Sequence, residues 1–300
     1  GSLTRRQAIA LDPDGLARGW AVAHDRAAGR SLIGVVVDPD LSAAVADPVA
    51  AGLFAWAGRA VDSFVSLRGL DFTQLDSGAY ALDPRQRAWL AQAGYRQVRS
   101  WLQMSRPVQA LEKVPGVLPE ARPGVQIRRV RKHANGVPIG RDVRTVHRML
   151  EESFADHFNS YRESFPEFIS RQREDPGHQW DHWWLAFIDG TDTEDGVPAG
   201  ALVSTVLPPD SSGAQGSYVD YLGVHARARG RGVAKALLHT VIADAAARGR
   251  NRVGLEVDAD SPTQADGIYR SLGWETSYVT ESWHQTRARD TDSERSETTP

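Results

Sequence analysis

The chain has 300 residues, a formal charge of −3, 41% hydrophobic residues and no cysteine. Its length exceeds one usual domain and favours two. The near-neutral charge gives no general reason to expect nucleic acid or a membrane as partner, and the missing cysteines exclude disulfides, a thiol nucleophile and thiolate zinc sites. No run approaches the roughly 18 consecutive apolar residues that span a bilayer, and Leu3-Thr4-Arg5-Arg6 opens no hydrophobic export signal, so a cytoplasmic protein is expected.

Residues 3–106 are expected to form a first domain. Ser31–Val37 reads as a strand, followed by an alanine-rich helix through Trp56. The turn between them, Asp38-Pro39-Asp40-Leu41, carries two carboxylates and no glycine. Arg87–Gln103 predicts a helix that ends on Gly94-Tyr95 and then a strand. Ile268–Thr280 repeats that pattern around Gly273-Trp274, which points to a diverged internal repeat. Residues 107–124, with Pro107, Pro115, Pro119 and Pro123 and no helical or strand period, are expected to be a linker.

Residues 125–285 read as a second domain. Strand 125–130, helix 141–154 and helix 166–173 are followed by strands 183–188, 199–206 and 218–224. Helix 232–248, strand 252–257, helix 263–272 and strand 276–283 complete it. Ala234, Leu237, Leu238, Val241, Ile242 and Ala245 lay one apolar helix face against a sheet. The expected fold class is mixed α/β (α+β) with a central sheet. Residues 286–300 are polar throughout and expected to be a disordered tail.

Residues 217–248 carry the chemistry. A strand ends at Val224, and the loop from His225 to Gly232 opens directly into a helix. The first N–H groups of a helix have no partner within it and sit at the positive end of its dipole. Gly230 and Gly232 remove side chains that would keep a diphosphate off the backbone. A Walker loop fails because Lys235 follows Ala234 and not glycine. A dinucleotide fingerprint needs a glycine where Lys235 stands, although Glu256 imitates its ribose-binding acid. An RNA-binding arginine-glycine tract would be repeated, disordered and more basic; here the arginines lie between a strand and a helix.

The pattern Arg227-x-x-Gly230-x-Gly232 after a strand is followed, one strand later, by Ala265, Ile268-Tyr269 and Leu272-Gly273-Trp274. Together they resemble the GCN5-related N-acetyltransferases (GNAT), well over residues 125–285 and loosely over 15–106. The tandem layout, with a degenerate and incomplete first copy, is most similar to the mycothiol synthase branch. Two features depart from the family. Ser261-Pro262 replaces the usual asparagine, and Phe154–Tyr161 lacks the His-Pro-Glu-Gln-Gly stretch.

The resemblance implies acetyl-CoA as cosubstrate, no metal, and a primary amine of a small molecule as acceptor, in a monomer or homodimer. It places Leu222, Gly223 and Val224 at the thioester. Arg227, Arg229, Gly230, Arg231, Gly232, Val233, Ala234 and Lys235 fall at the pyrophosphate. Tyr269 occupies the family's acid position; its alternative is a packing tyrosine. The mycothiol-type glutamate would fall at Tyr218, which leaves Asp220 as the best available base, or else a structural carboxylate. Read as a regular strand, Tyr218, Asp220 and Val224 share one face. His157, beside Asp156, borders the acceptor cleft and would orient or deprotonate the amine, or merely cap a helix. His178 and His182, with Trp180, Trp183 and Trp184, invite a metal or cation-π reading, but without a third ligand no zinc is expected. Asp38 and Asp40 should repel a pyrophosphate, so one acyl-CoA per chain is expected. The alternatives are mycothiol synthase proper, an antibiotic or protein N-acetyltransferase and, as the non-enzyme reading, a non-catalytic acyl-CoA-binding scaffold.

Overall fold

The computed structural model describes residues 5–26, 29–155, 163–190, 194–260 and 266–289. They form two compact units, one drawn from the chain up to Trp101 and from Tyr278 onward, the other from Leu102–Ser277.

In the first unit β1 (Arg5–Leu11), β2 (Ala17–Arg26) and β3 (Arg30–Val37) form an antiparallel meander. Helix α1 (Ala43–Arg68) crosses over to β4 (Phe72–Tyr80), which pairs in parallel with β3, and α2 (Pro84–Gln92) leads to β5 (Arg96–Pro107). The sheet is extended by β11 (Glu275–Ala288), whose Thr280–Ala288 pairs antiparallel with Tyr80–Phe72. Ala57, Val61 and Phe64 of α1 pack with Ile33, Leu75 and Trp283. Strands β1, β2 and β4 were not legible in the sequence, because their alternation is broken by exposed apolar and half-buried polar residues.

In the second unit the strand order is β5, β10 (Arg252–Asp258), β9 (Gly216–Val224), β8 (Val197–Leu207), β7 (His178–Ile188) and β6 (Val125–Arg129). Helices α3 (Gly140–Phe154) and α4 (Phe165–Glu174) join β6 to β7, α5 (Val233–Ala247) joins β9 to β10, and α6 (Asp266–Ser271) precedes β11. The two sheet faces carry separate cores. Trp184, Leu202 and Val219 pack with Leu237, Val241 and Ile242 of α5. Trp183, Leu185 and Val203 pack with Val146, Met149 and Leu150 of α3 and Phe168 of α4. The order β1-β2-β3-α1-β4-α2-β5 recurs as β7-β8-β9-α5-β10-α6-β11.

The units divide the chain differently from the boundaries expected at 106, 124 and 285. Residues 107–124 are not a free linker but part of the second unit. Val108 and Leu118 pack on its core, His239 Nδ1 lies 3.0 Å from the Pro119 carbonyl, and Arg106 pairs with Glu112 at 2.5 Å. Residues 286–288 are strand, not tail, and Arg287 is paired with Asp62. A strand's partner is set by distant residues, so the exchange of β11 into the first unit leaves no local signal in its own sequence.

Candidate active site

The site begins with a split in the sheet. The parallel ladder between β9 and β10 holds only Ser217↔Val253, Tyr218↔Gly254 and Val219↔Leu255, yet β9 runs on to Val224 and β10 to Asp258. On the other edge of β9, Val203 faces Tyr221 and the next residue, Ser204, faces Val219. Asp220 is therefore the extra residue of a β-bulge, which bends and twists a strand and re-aims its side chains. The first residue beyond the last paired one is a carboxylate.

The bulge corrects the expected strand face. Leu222, Val224 and Val219 pack on the α5 side, whereas Tyr221 packs with the α3 and α4 core. Asp220 responds to Arg171 and Asp175 at the α4 end, so Asp220 and Val224 lie on opposite faces. Gly223 meets α3. A Cβ there would stand 3.0 Å from Ser153 Oγ and 3.1 Å from Leu150, so glycine lets that helix close on the strand where the sheet opens.

Asp220 is half-buried. Its Oδ1 takes a long hydrogen bond from Thr205 Oγ1 at 3.5 Å, and its Oδ2 has no partner among the described residues. Burial, reinforced by the nearby Asp175 charge, pushes its pKa up to about 7. That is where a general base at neutral pH works best. Around it, Arg171 pairs with Glu163 at 2.6 Å and donates to the Tyr221 hydroxyl at 2.5 Å, fixing the aromatic wall. Among the described residues neither ring nitrogen of His178 has a partner, nor does Ser153 Oγ. Asp175, Arg171, Tyr221 and Ser153 escaped the sequence reading because the bulge and helix packing bring them together, not spacing.

On the opposite face, Gly230 and Gly232 both adopt positive φ, 77° and 84°, and Gly232 caps α5 without a side-chain hydrogen bond. The N–H groups of Arg229 and Arg231 donate within the turn, to Ala226 and Ala228. They are therefore not free for a phosphate, as the sequence suggested. No described acceptor takes the N–H groups of Gly230, Gly232, Val233, Ala234 and Lys235. Arg227 is turned back onto His225 Nδ1 at 3.1 Å, while Arg229, Arg231 and Lys235 are exposed. Arg122, from the segment expected to be a linker, donates to the Gly230 carbonyl at 3.2 Å and brings a further cation to the loop.

Tyr269 lies half-buried on α6, its ring edge-on to Trp274 with centroids 6.2 Å apart, on the α5 face of the sheet. Burial pushes its pKa up to about 12, which keeps the phenol protonated. Asp220 and Tyr269 thus belong to opposite faces of the split sheet.

The remaining expectations divide. His157, Asp156 and Ala265 lie outside the described residues. His182 is fully buried between Asp181 and Arg250, at 2.8 and 2.6 Å. Trp183 and Trp184 are core residues of the two faces. Among the described residues no group of three or more His, Cys, Asp or Glu is placed to hold a metal. In the first unit, Asp38 binds Arg18 at 2.9 Å and the Asp40 N–H, and Ser77 Oγ donates to the Ile33 carbonyl just past the end of the β3–β4 ladder. A cavity of about 460 Å³ in that unit is lined by Phe54, Trp89, Tyr95 and Arg287 among others, with no carboxylate or histidine to accept a proton.

Residues 147–274 match the family model described as Acetyltransferase (GNAT) family. That match supports GNAT superfamily membership for the segment and, with it, acyl transfer in general. The chain's fold is similar to a GCN5-related N-acetyltransferase from Sphaerobacter thermophilus, with a TM-score of 0.70 and 23% identity over 95% of this chain and 82% of that one. It is similar to a tandem GNAT protein from the clavulanic acid biosynthesis pathway, with a TM-score of 0.64 and 13% identity over 95% and 84%. It is also similar to the N-myristoyltransferase of Saccharomyces cerevisiae, with a TM-score of 0.54 and 13% identity over 93% and 67%. No curated protein matches the sequence.

Proposed function

We propose that the second unit is an N-acyltransferase that moves an acetyl group from acetyl-CoA to a primary amine of a small molecule by direct attack on the thioester. The observation that carries this reading is the bulged Asp220, a carboxylate whose Oδ2 has no partner among the described residues and whose pKa is about 7, standing where β9 and β10 separate. Between those strands a pantetheine arm finds the edge of Leu222–Val224 that faces away from β8 and that β10 leaves unpaired. The free N–H groups of Gly230, Gly232, Val233, Ala234 and Lys235, with the Arg122, Arg229, Arg231 and Lys235 side chains around them, suit its pyrophosphate.

An alkyl ammonium, with a pKa of about 10, must lose a proton before it attacks. Asp220 takes that proton. The nitrogen then bonds to the carbonyl carbon, the C–S bond breaks, and the sulfur receives the phenol proton of Tyr269. The second proton shed by the nitrogen restores Tyr269 through solvent, and the proton on Asp220 leaves, so one proton is released per turnover. The two groups act from opposite faces, one toward the amine and one toward the leaving thiolate.

A mycothiol-synthase-type acceptor is a second reading, favoured by the repeated order of elements. Tyr218 at the position of that branch's glutamate weighs against it. The test is release of free CoA thiol from acetyl-CoA in the presence of a primary-amine panel, with the acetylated product identified by mass. Acetyl-CoA binding without turnover of any amine would favour the scaffold alternative.

A further inference from the structure

We propose that His178 and Asp220 work as one proton-accepting pair on the acceptor side, with His178 taking the second proton that the amine nitrogen sheds. This deepens the acyltransferase reading and rests on it. His178 Cα pairs with Thr205 across β7 and β8, so their side chains share a face, and Thr205 Oγ1 reaches Asp220 Oδ1 at 3.5 Å. His178 and Asp220 therefore flank the same threonine.

Both ring nitrogens of His178 and the Oδ2 of Asp220 are buried without a hydrogen-bond partner among the described residues. Native proteins leave few such groups, and a cluster of them on one face is explained better by a function than by packing. The imidazole is held edge-on to Trp180 and Trp183, with centroids 4.4 and 5.6 Å away, so its orientation is fixed without the use of either nitrogen. Burial lowers its pKa, with Arg173 acting in the same sense and Asp175 against it. The ring is neutral at pH 7 and able to accept a proton. Asp175 also faces Asp220, as does Arg171 from α4, so one carboxylate influences both members of the pair.

In the reaction, the ammonium gives its first proton to Asp220. After the C–N bond forms, the second goes to His178, which returns it through solvent to the phenolate left at Tyr269. Sulfur holds the phenol proton, the amide keeps one N–H, and the balance of one released proton is unchanged.

The test is an NMR titration of protein labelled with ring-13C histidine, the His178 signal being assigned by its loss in His178→Gln. In the wild type the His178 signal should carry, besides its own titration, a second inflection near pH 7 that follows the ionisation of Asp220, and Asp220→Asn should remove it. Reciprocally, the carboxyl carbon of Asp220 should carry a second inflection at lower pH that His178→Gln removes, a measurement that stands if Asp220→Asn fails to fold. A single inflection in each wild-type signal would overturn the pair. Calorimetric titration of the wild type with acetyl-CoA separates the two ideas. Acetyl-CoA binding without coupling removes only the pair, whereas coupling without acetyl-CoA binding removes the acyltransferase reading.

Discussion

Thr205 Oγ1 stands 3.5 Å from Asp220 Oδ1 across the β8–β9 bulge, and no other described side chain satisfies that carboxylate. A group kept so poorly solvated should trade stability for function. Its pKa is about 7 in the folded chain against 3.8 when unperturbed, so the folded state binds the proton more tightly. The sign follows from linkage. Stability from this group is fully present below pH 3.8 and is lost as pH rises through 7. Asp220→Asn should therefore raise the melting temperature at pH 8, by about 2–6 °C, and leave it unchanged near pH 4. The same variant should lose about 100- to 10,000-fold in kcat/KM for the amine. Differential scanning calorimetry at the two pH values, with thiol-release kinetics, checks both halves.

Tyr269 should separate chemistry from binding. Its ring packs edge-on to Trp274, and Tyr269→Phe preserves that contact while removing only the hydroxyl. Acetyl-CoA affinity by calorimetry should stay within about twofold, because a loss of roughly 0.4 kcal/mol is all that change represents. The rate should fall by about 100-fold or more if the phenol protonates the leaving thiolate. Unchanged turnover would reduce Tyr269 to a packing residue.

The sequence revealed what rests on local pattern. The glycine-arginine turn, the apolar stripe of α5 and the repeated Gly-aromatic helix ends were all legible, because each is written within a few residues. The acceptor side was not. Asp220 was named as a candidate, but its face was misjudged, since a one-residue bulge resets the alternation from which faces are read. Arg171, Asp175, Thr205 and Ser153 come from separate elements, and only tertiary packing collects them. Arg122 was hidden for another reason. Its proline-rich surroundings read as a linker, yet they dock on α5 through Leu118 and the Pro119–His239 contact.

Gly232 should not tolerate a side chain. Its φ of 84° strains any L-residue, and a Cβ would meet the Arg122 side chain at 3.0 Å. Gly232→Ala should weaken acetyl-CoA binding by about tenfold, which equals 1.4 kcal/mol, through displacement of Arg122 and distortion of the first turn of α5. Gly140→Ala, at the start of α3 with open space around it, is the control and should bind as the wild type does. Wild-type titrations should saturate at one equivalent, because Asp38 and Asp40 occupy the corresponding turn of the first unit. Two equivalents would show that this turn accepts a diphosphate after all.

Asp142 governs stability away from the chemistry. Only 2% exposed, it accepts from Arg128 Nη1 and Nη2 at 2.6 and 3.0 Å, and from the Arg131 backbone and guanidinium at 2.9–3.2 Å. Burial alone would raise its pKa, but the hydrogen bonds from the two arginines outweigh it and hold the value at about 2. A depressed carboxylate contributes stability that is present above pH 3.8 and is lost as pH falls through 2. Removing one partner of a buried ionic network leaves the others uncompensated, so Asp142→Ala should cost about 3–5 kcal/mol at pH 7. The penalty should shrink toward pH 2, where the wild-type carboxyl is itself becoming protonated. Urea denaturation at pH 7 and pH 3 measures the difference, with an unchanged m-value showing that the same unfolding transition is compared. A penalty equal at both pH values would mean that Asp142 acts by packing and not by charge.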